Sequence, residues 1–206
     1  MHFPDCVEHT RKTKRIGCVM STLILRVDAA GRPVEWMAWQ AAVVMYVRDQ
    51  VLWAAGDARL RVNGGVNRAT GRQSFVDVDA IVAVRGPVAP DSMNASVPLT
   101  NRELFRRDRH TCLYCLQVLS DAALTRDHVV PLAQLGPDTW GNVVTACRAC
   151  NQRKGARTPE QAGMRLYAVP YVPSRAEWLI LNNRRIRADQ MEFLAAHCPK
   201  GSRWRE

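Results

Sequence analysis

Apolar and polar positions first fall into a regular pattern at Leu23-Ile-Leu-Arg-Val27, which predicts a strand. A turn at Asp28-Ala-Ala-Gly31 and a second strand-like run, Pro33-Val-Glu-Trp36, follow. Residues 39–48 read as a short, mostly buried helix, and further strands are expected around Val51–Trp53, Leu60–Val62 and Ser74–Val84. Gly64-Gly65 and Gly71 punctuate them. Residues 20–90 therefore read as a small α+β domain, with residues 1–19 expected to be a disordered extension and 91–99 a linker. No metal-ligand spacing or phosphate-cradling glycine motif occurs in 20–90.

The pattern changes at Thr100-Asn-Arg-Glu103, a capping-box sequence that predicts a helix over Asn101–Arg109. Thr158-Pro-Glu-Gln161 and Ser174-Arg-Ala-Glu177 repeat the signature, the latter opening the apolar stretch Trp178-Leu-Ile-Leu181. A last helix is expected from Ala188 to His197, with Met191, Leu194 and Ala195 on one face. Residues 166–206 thus form a C-terminal helical segment.

Between these helices lie two pairs of cysteines, Cys112-Leu-Tyr-Cys115 and Cys147-Arg-Ala-Cys150, separated by 31 residues. Four thiolates from two such knuckles make a closed tetrahedral set, the donor chemistry of structural zinc. Seven cysteines in a chain with 47% hydrophobic residues argue against a disulfide framework and for a reducing compartment. Cys6, Cys18 and Cys198 read as bystanders. A basic run precedes Ile16–Leu25, but that segment is short, carries Ser21 and Thr22 and lacks a convincing small-residue cleavage site, so secretion is not expected; the unpaired thiols suit a cytoplasmic location. No segment is long and apolar enough to cross a membrane.

The insert between the knuckles supplies further chemistry. Leu124–Val130 reads as a strand containing Asp127-His128, while Asn142 precedes the second knuckle and Asn151 follows it. Neighbouring strand residues face opposite ways, so a bend or bulge is expected if Asp127 and His128 serve one site. Charge adds a partner class: the chain carries a net +10, and residues 99–165 hold ten Lys/Arg against six Asp/Glu. Arg148, Arg153, Lys154 and Arg157 cluster at the last knuckle, where contacts to DNA phosphates are expected.

Asp127-His128, Asn142 and Asn151, interleaved with the two cysteine pairs, resemble the HNH endonuclease family over residues 100–165. The phrase Val144-Thr-Ala-Cys-Arg-Ala-Cys-Asn-Gln-Arg-Lys-Gly155 is close to that family's wording. The resemblance implies an α+β fold in which a ββα-metal nuclease core is inserted in a four-cysteine zinc ribbon. It also implies metal-dependent hydrolysis of DNA, with His128 as general base and Asp127 and Asn151 as ligands of one catalytic ion. Asn142 would tie the loop between the strands and orient His128. Many members carry His where this chain has Asn151; an amide oxygen suits Mg²⁺ or Mn²⁺ better than zinc. A single site implies nicking, with double-strand breaks requiring a homodimer, a second visit or a partner. A bacterial or phage origin is part of the same expectation. Two alternatives stay open: a non-catalytic zinc-ribbon nucleic-acid-binding module, and an RNase of the same family.

Overall fold

The computed structural model describes residues 22–57, 59–85 and 97–205. The expected extension 1–19 and most of the linker lie outside them. The chain divides into two compact units. The first runs through Ser92 and takes in Arg187–Phe193; the second holds Met93–Ile186 and Leu194–Glu206.

In the first unit, strands β1 (Leu23–Val27), β2 (Pro33–Ala38), β3 (Val51–Ala55) and β6 (Ile81–Val84) form a sheet of order β2-β1-β6-β3. Central β6, Ile81-Val-Ala-Val84, is buried at every position, as suits a strand covered on both faces. Strands β4 (Leu60–Val66) and β5 (Gln73–Val78) form a separate antiparallel pair. The single strand region expected over Ser74–Val84 is therefore two strands in two sheets, broken at Asp79-Ala80, where Asp79 accepts hydrogen bonds from Tyr46 Oη and Arg59 Nε. Helix α1 (Trp39–Val47) forms where expected, but only Ala42 is fully buried and Val44 and Val47 are exposed. It lays one side on the core of Ile24, Met37, Leu60, Val78, Val82 and Val84, rather than being enclosed.

The second unit opens with helix α2 (Asn101–Arg107) and carries strands β7 (Leu124–His128) and β8 (Val143–Cys147), followed by helix α3 (Arg148–Lys154). Strand β8 is buried at all five positions, with Val143 in the cluster around Trp140 and Leu104, and Val144 and Ala146 in the cluster around Leu113 and Tyr114. Arg107 holds this centre together. Its buried guanidinium donates to the carbonyls of Trp140, Tyr171 and Val143 and pairs with Asp108, which in turn accepts from Thr145 N–H.

Helix α4 (Arg175–Asn182) starts on the expected capping box, with Ser174 and Glu177 bonded reciprocally. Thr158 and Gln161 form the same reciprocal contacts, yet only turns follow, ended by Gly163 at φ 62°. Without an apolar face to bury, a cap alone does not sustain a helix. Helix α5 (Ala188–Ala196) runs close to its expected span; Leu194 is its buried member, together with Gln190, which donates to Leu23 O and Ala80 O within the first unit. No helix among the described residues is long and apolar enough to cross a membrane.

Candidate active site and four-cysteine centre

The sulfurs of Cys112, Cys115, Cys147 and Cys150 all lie within 4.8 Å of one another. A tetrahedral zinc with Zn–S near 2.3 Å places its sulfurs about 3.8 Å apart, so the four fit such an ion. Cys147 ends β8 and also caps α3, its Sγ accepting from Cys150 N–H. Burial works to raise the Cys112 thiol, but N–H groups of Cys147, Tyr114 and Cys115 outweigh it and pull its pKa below the ordinary value. Burial pushes Cys150 upward.

Strands β7 and β8 pair antiparallel in an unbroken register from Leu124↔Cys147 to His128↔Val143. The bulge expected at Asp127-His128 is absent. Instead β7 ends at His128, and Asp127 and His128 both line one cavity of about 220 Å³ with Asn151, Lys154 and Pro131. Asp127 lies at its closed side, 4% exposed. Its Oδ2 accepts from Tyr114 Oη at 2.6 Å and its Oδ1 from Lys154 Nζ at 3.0 Å. Burial first, and then the Asp127 carboxylate, push the Tyr114 phenol far up, so it remains a donor.

His128 is oriented by a residue that the motif does not contain. Its Nε2 lies 2.9 Å from Asp138 Oδ1, and Asp138 also takes Arg126 Nη1 at 2.8 and 2.9 Å. Arg126 holds the Asp138 carboxyl below its ordinary range against the opposing effect of burial, with His128 adding to it. An ionised carboxylate only accepts, so Nε2 carries the proton. Nδ1 makes no hydrogen bond among the described residues.

Asn142 sits away from that cavity and grips the loop. Its Oδ1 accepts from Val130 N–H, and its Nδ2 donates to the carbonyls of Val130 and Pro137. Asn151 directs Nδ2 to Thr125 Oγ1 and the Arg126 carbonyl, and its Oδ1 makes no hydrogen bond among the described residues.

The basic cluster divides. Arg148, Arg153 and Arg157 are exposed, whereas Lys154 is 1% exposed and also donates to His128 O at 2.7 Å. Lys154, expected to contact DNA, thus differs from the three arginines: its ammonium is enclosed and paired with Asp127. A sequence signal for this existed, since Cys147, Cys150, Asn151 and Lys154 follow the i, i+3, i+4, i+7 spacing of one helix face. Tyr114 and Asp138 carried no comparable signal, because their partners come from other turns of the fold.

Residues 112–167 match the family model described as HNH endonuclease. Among solved structures, the Type II-C Cas9 enzyme from Actinomyces naeslundii is similar at 21% identity and a TM-score of 0.23, over 48% of this chain. The match covers 16% of the Cas9 chain. No curated protein matches the chain. The antiparallel strand pair, the helix that follows it and the four-cysteine centre coincide in the one segment, residues 112–167, that matches the HNH endonuclease family.

Proposed function

We propose that the second unit hydrolyses DNA phosphodiester bonds, one strand at a time, with His128 as general base. The observation that carries this reading is the convergence of Asp127, His128 and Asn151 on one cavity where β7 ends beside α3. With Nε2 held on Asp138, the Nδ1 lone pair of His128 takes a proton from water as the water attacks phosphorus. Asp138 then stabilises the imidazolium that forms. Asn142 keeps the following loop closed through Val130 and Pro137.

Each Asp127 oxygen accepts one donor and keeps further acceptor capacity, and Asn151 commits only its Nδ2. This oxygen-only donor set suits Mg²⁺ or Mn²⁺, which Asp127 and Asn151 would hold. Bound there, the ion supplies charge stabilisation for the phosphate and the leaving 3′ oxygen. The four cysteines would hold zinc, with a structural role because no ligand position is left open. Exposed Arg148, Arg153 and Arg157 supply phosphate contacts.

A second reading, a nucleic-acid-binding module that does not cut, draws on the engagement of both Asp127 oxygens by Tyr114 and Lys154. A supercoiled-plasmid assay on zinc-loaded protein separates the two. Nicking by the wild type with Mg²⁺ or Mn²⁺, lost in EDTA and in His128→Ala while DNA binding persists, is the expected result. Binding without nicking in either metal would transfer the conclusion to the second reading. Parallel RNA substrate tests the RNase alternative.

A further inference from the structure

A cavity of about 380 Å³ in the second unit, lined by other residues than the candidate active site, combines an apolar wall of Ile180 and Leu181 with a cluster of cationic and donor side chains. Arg106, Arg109, Arg184 and Arg203 line it with Asn183 and Trp204, and no lining residue carries a carboxylate. Asp121, outside the lining, pairs with the lining His110.

Three of these residues hold a buried donor atom without a hydrogen-bond partner: Asn183 Nδ2, Arg203 Nε and Trp204 Nε1. Buried donors are almost always satisfied, so three on the lining residues of one cavity mark a neighbourhood rich in donors and short of acceptors. The charges are unmatched as well. Arg109 and Arg184 are exposed and pair with no carboxylate among the described residues. Burial lowers the pKa of Arg106, and the like charges of Arg184 and Arg102 lower it further. Burial likewise lowers Arg203, with Arg109 adding to the effect. Glu103 and Asp121 act on Arg106, and Asp108 and Glu177 on Arg203, in the opposite sense. The lining nevertheless sets no carboxylate of its own beside four arginines, so an anion seated there would relieve their mutual repulsion.

We propose that this cavity binds a phosphate group through Arg106, Arg109, Arg184, Asn183, Arg203 and Trp204. The source favoured here is the backbone of a bound nucleic acid, and for that source the inference rests on the function proposed above. Its volume lies within the range of roughly 300–1,000 Å³ typical of ligand pockets, so a whole nucleotide unit fits the scale as well as a lone phosphate.

Arg106 and Arg203 also bond the carbonyls of Leu181, Arg106 and Arg107, so they are poor choices for substitution. Arg109→Gln/Arg184→Gln removes two unpaired charges from the surface and leaves those bonds alone. DNA binding is measured by anisotropy on zinc-loaded full chain carrying His128→Ala, with and without this pair. Affinity should fall about tenfold or more, and the slope of log K against log salt should drop by about two. An unchanged affinity and slope, with Arg153→Gln still weakening binding, overturns the nucleic-acid source.

Inorganic phosphate is then titrated while the Trp204 indole N–H resonance, assigned with Trp204→Phe, is followed. A shift in wild type that the double variant lacks supports the phosphate site even where no chain binds DNA, and assigns free phosphate as its source. No shift, together with unchanged DNA binding, overturns the site altogether. Nicking by wild-type protein tests the catalytic reading by itself, and the phosphate titration reads this site without any cleavage, which keeps a failure of one distinct from a failure of the other.

Discussion

The ammonium of Lys154 lies 3.0 Å from Asp127 Oδ1, with the two side chains only 1% and 4% exposed. A lysine on the helix beside the candidate site is here an interior counter-ion that also donates to the His128 carbonyl. Removing one member of a buried pair strands the other charge, at a cost of about 3–5 kcal/mol. Lys154→Ala should therefore lower the urea midpoint strongly at unchanged slope, whereas exposed Arg153→Ala should stay within about 0.5 kcal/mol of wild type. Equal stability of the two variants, with Lys154→Ala weakening DNA binding instead, would show that Lys154 faces the substrate after all.

Asp138 is expected to act through His128 and not on the substrate. Asp138→Ala should cut the nicking rate about tenfold or more with little change in DNA affinity, and His128→Ala should cost about 10²–10⁴-fold. The Arg126 contact depresses the folded pKa of Asp138 below its ordinary 3.8. The stability this contact contributes is thus complete above 3.8 and is lost only as pH falls through the lower folded value. An NMR titration of the Asp138 carboxyl should show it ionised throughout the range from pH 5 to 8. A titration step inside that range, or an Asp138→Ala enzyme with wild-type rate, removes Asp138 from the mechanism.

Local order was legible wherever one pattern served one purpose. The apolar run Leu23–Val27, the Ser174–Glu177 box and the paired cysteines each translated directly into structure. The Thr158–Gln161 box misled because its signal is purely local: the contacts form, but Gly163 and the absence of an apolar face leave turns. Ser74–Val84 misled because an apolar run does not reveal that its two halves join different sheets. Within the site, motif spacing brought out Asp127, His128 and Asn151. Asp138 was silent, since a loop aspartate ten residues from His128 becomes meaningful only once the loop between the strands has closed.

Metal removal should act on the second unit through its cysteines. Structural zinc supplies roughly 10–16 kcal/mol of apparent folding free energy in small modules, and here it would join the knuckle before β7 to the β8–α3 junction. Cys112→Ser and Cys147→Ser should each abolish stoichiometric zinc and lower the melting temperature by more than 10 °C. Cys198→Ser, remote from the cluster, should leave zinc content at one per chain. Zinc retained by Cys112→Ser at full stoichiometry would refute the four-thiolate assignment.

The loop carrying Asp138 depends on a glycine chosen for space. A Cβ on Gly136 would lie 1.8 Å from the Val130 carbonyl oxygen and 3.0 Å from Asn142 Nδ2. These are the atoms through which Asn142 ties the loop, so the clash falls on backbone and on the clamp itself. Overpacking of this kind costs about 1–3 kcal/mol. The larger consequence is geometric: Val130 follows His128 by two residues and Gly136 precedes Asp138 by two, so relief of the clash pulls base and carboxylate apart. Gly136→Ala should lose nicking as severely as Asn142→Ala while keeping its zinc. Gly141→Ala, whose Cβ would meet nothing within 4 Å, should retain wild-type nicking. If both alanine variants cut normally, the Asn142 clamp does not position the base and the 2.9 Å His128–Asp138 contact does not depend on loop closure.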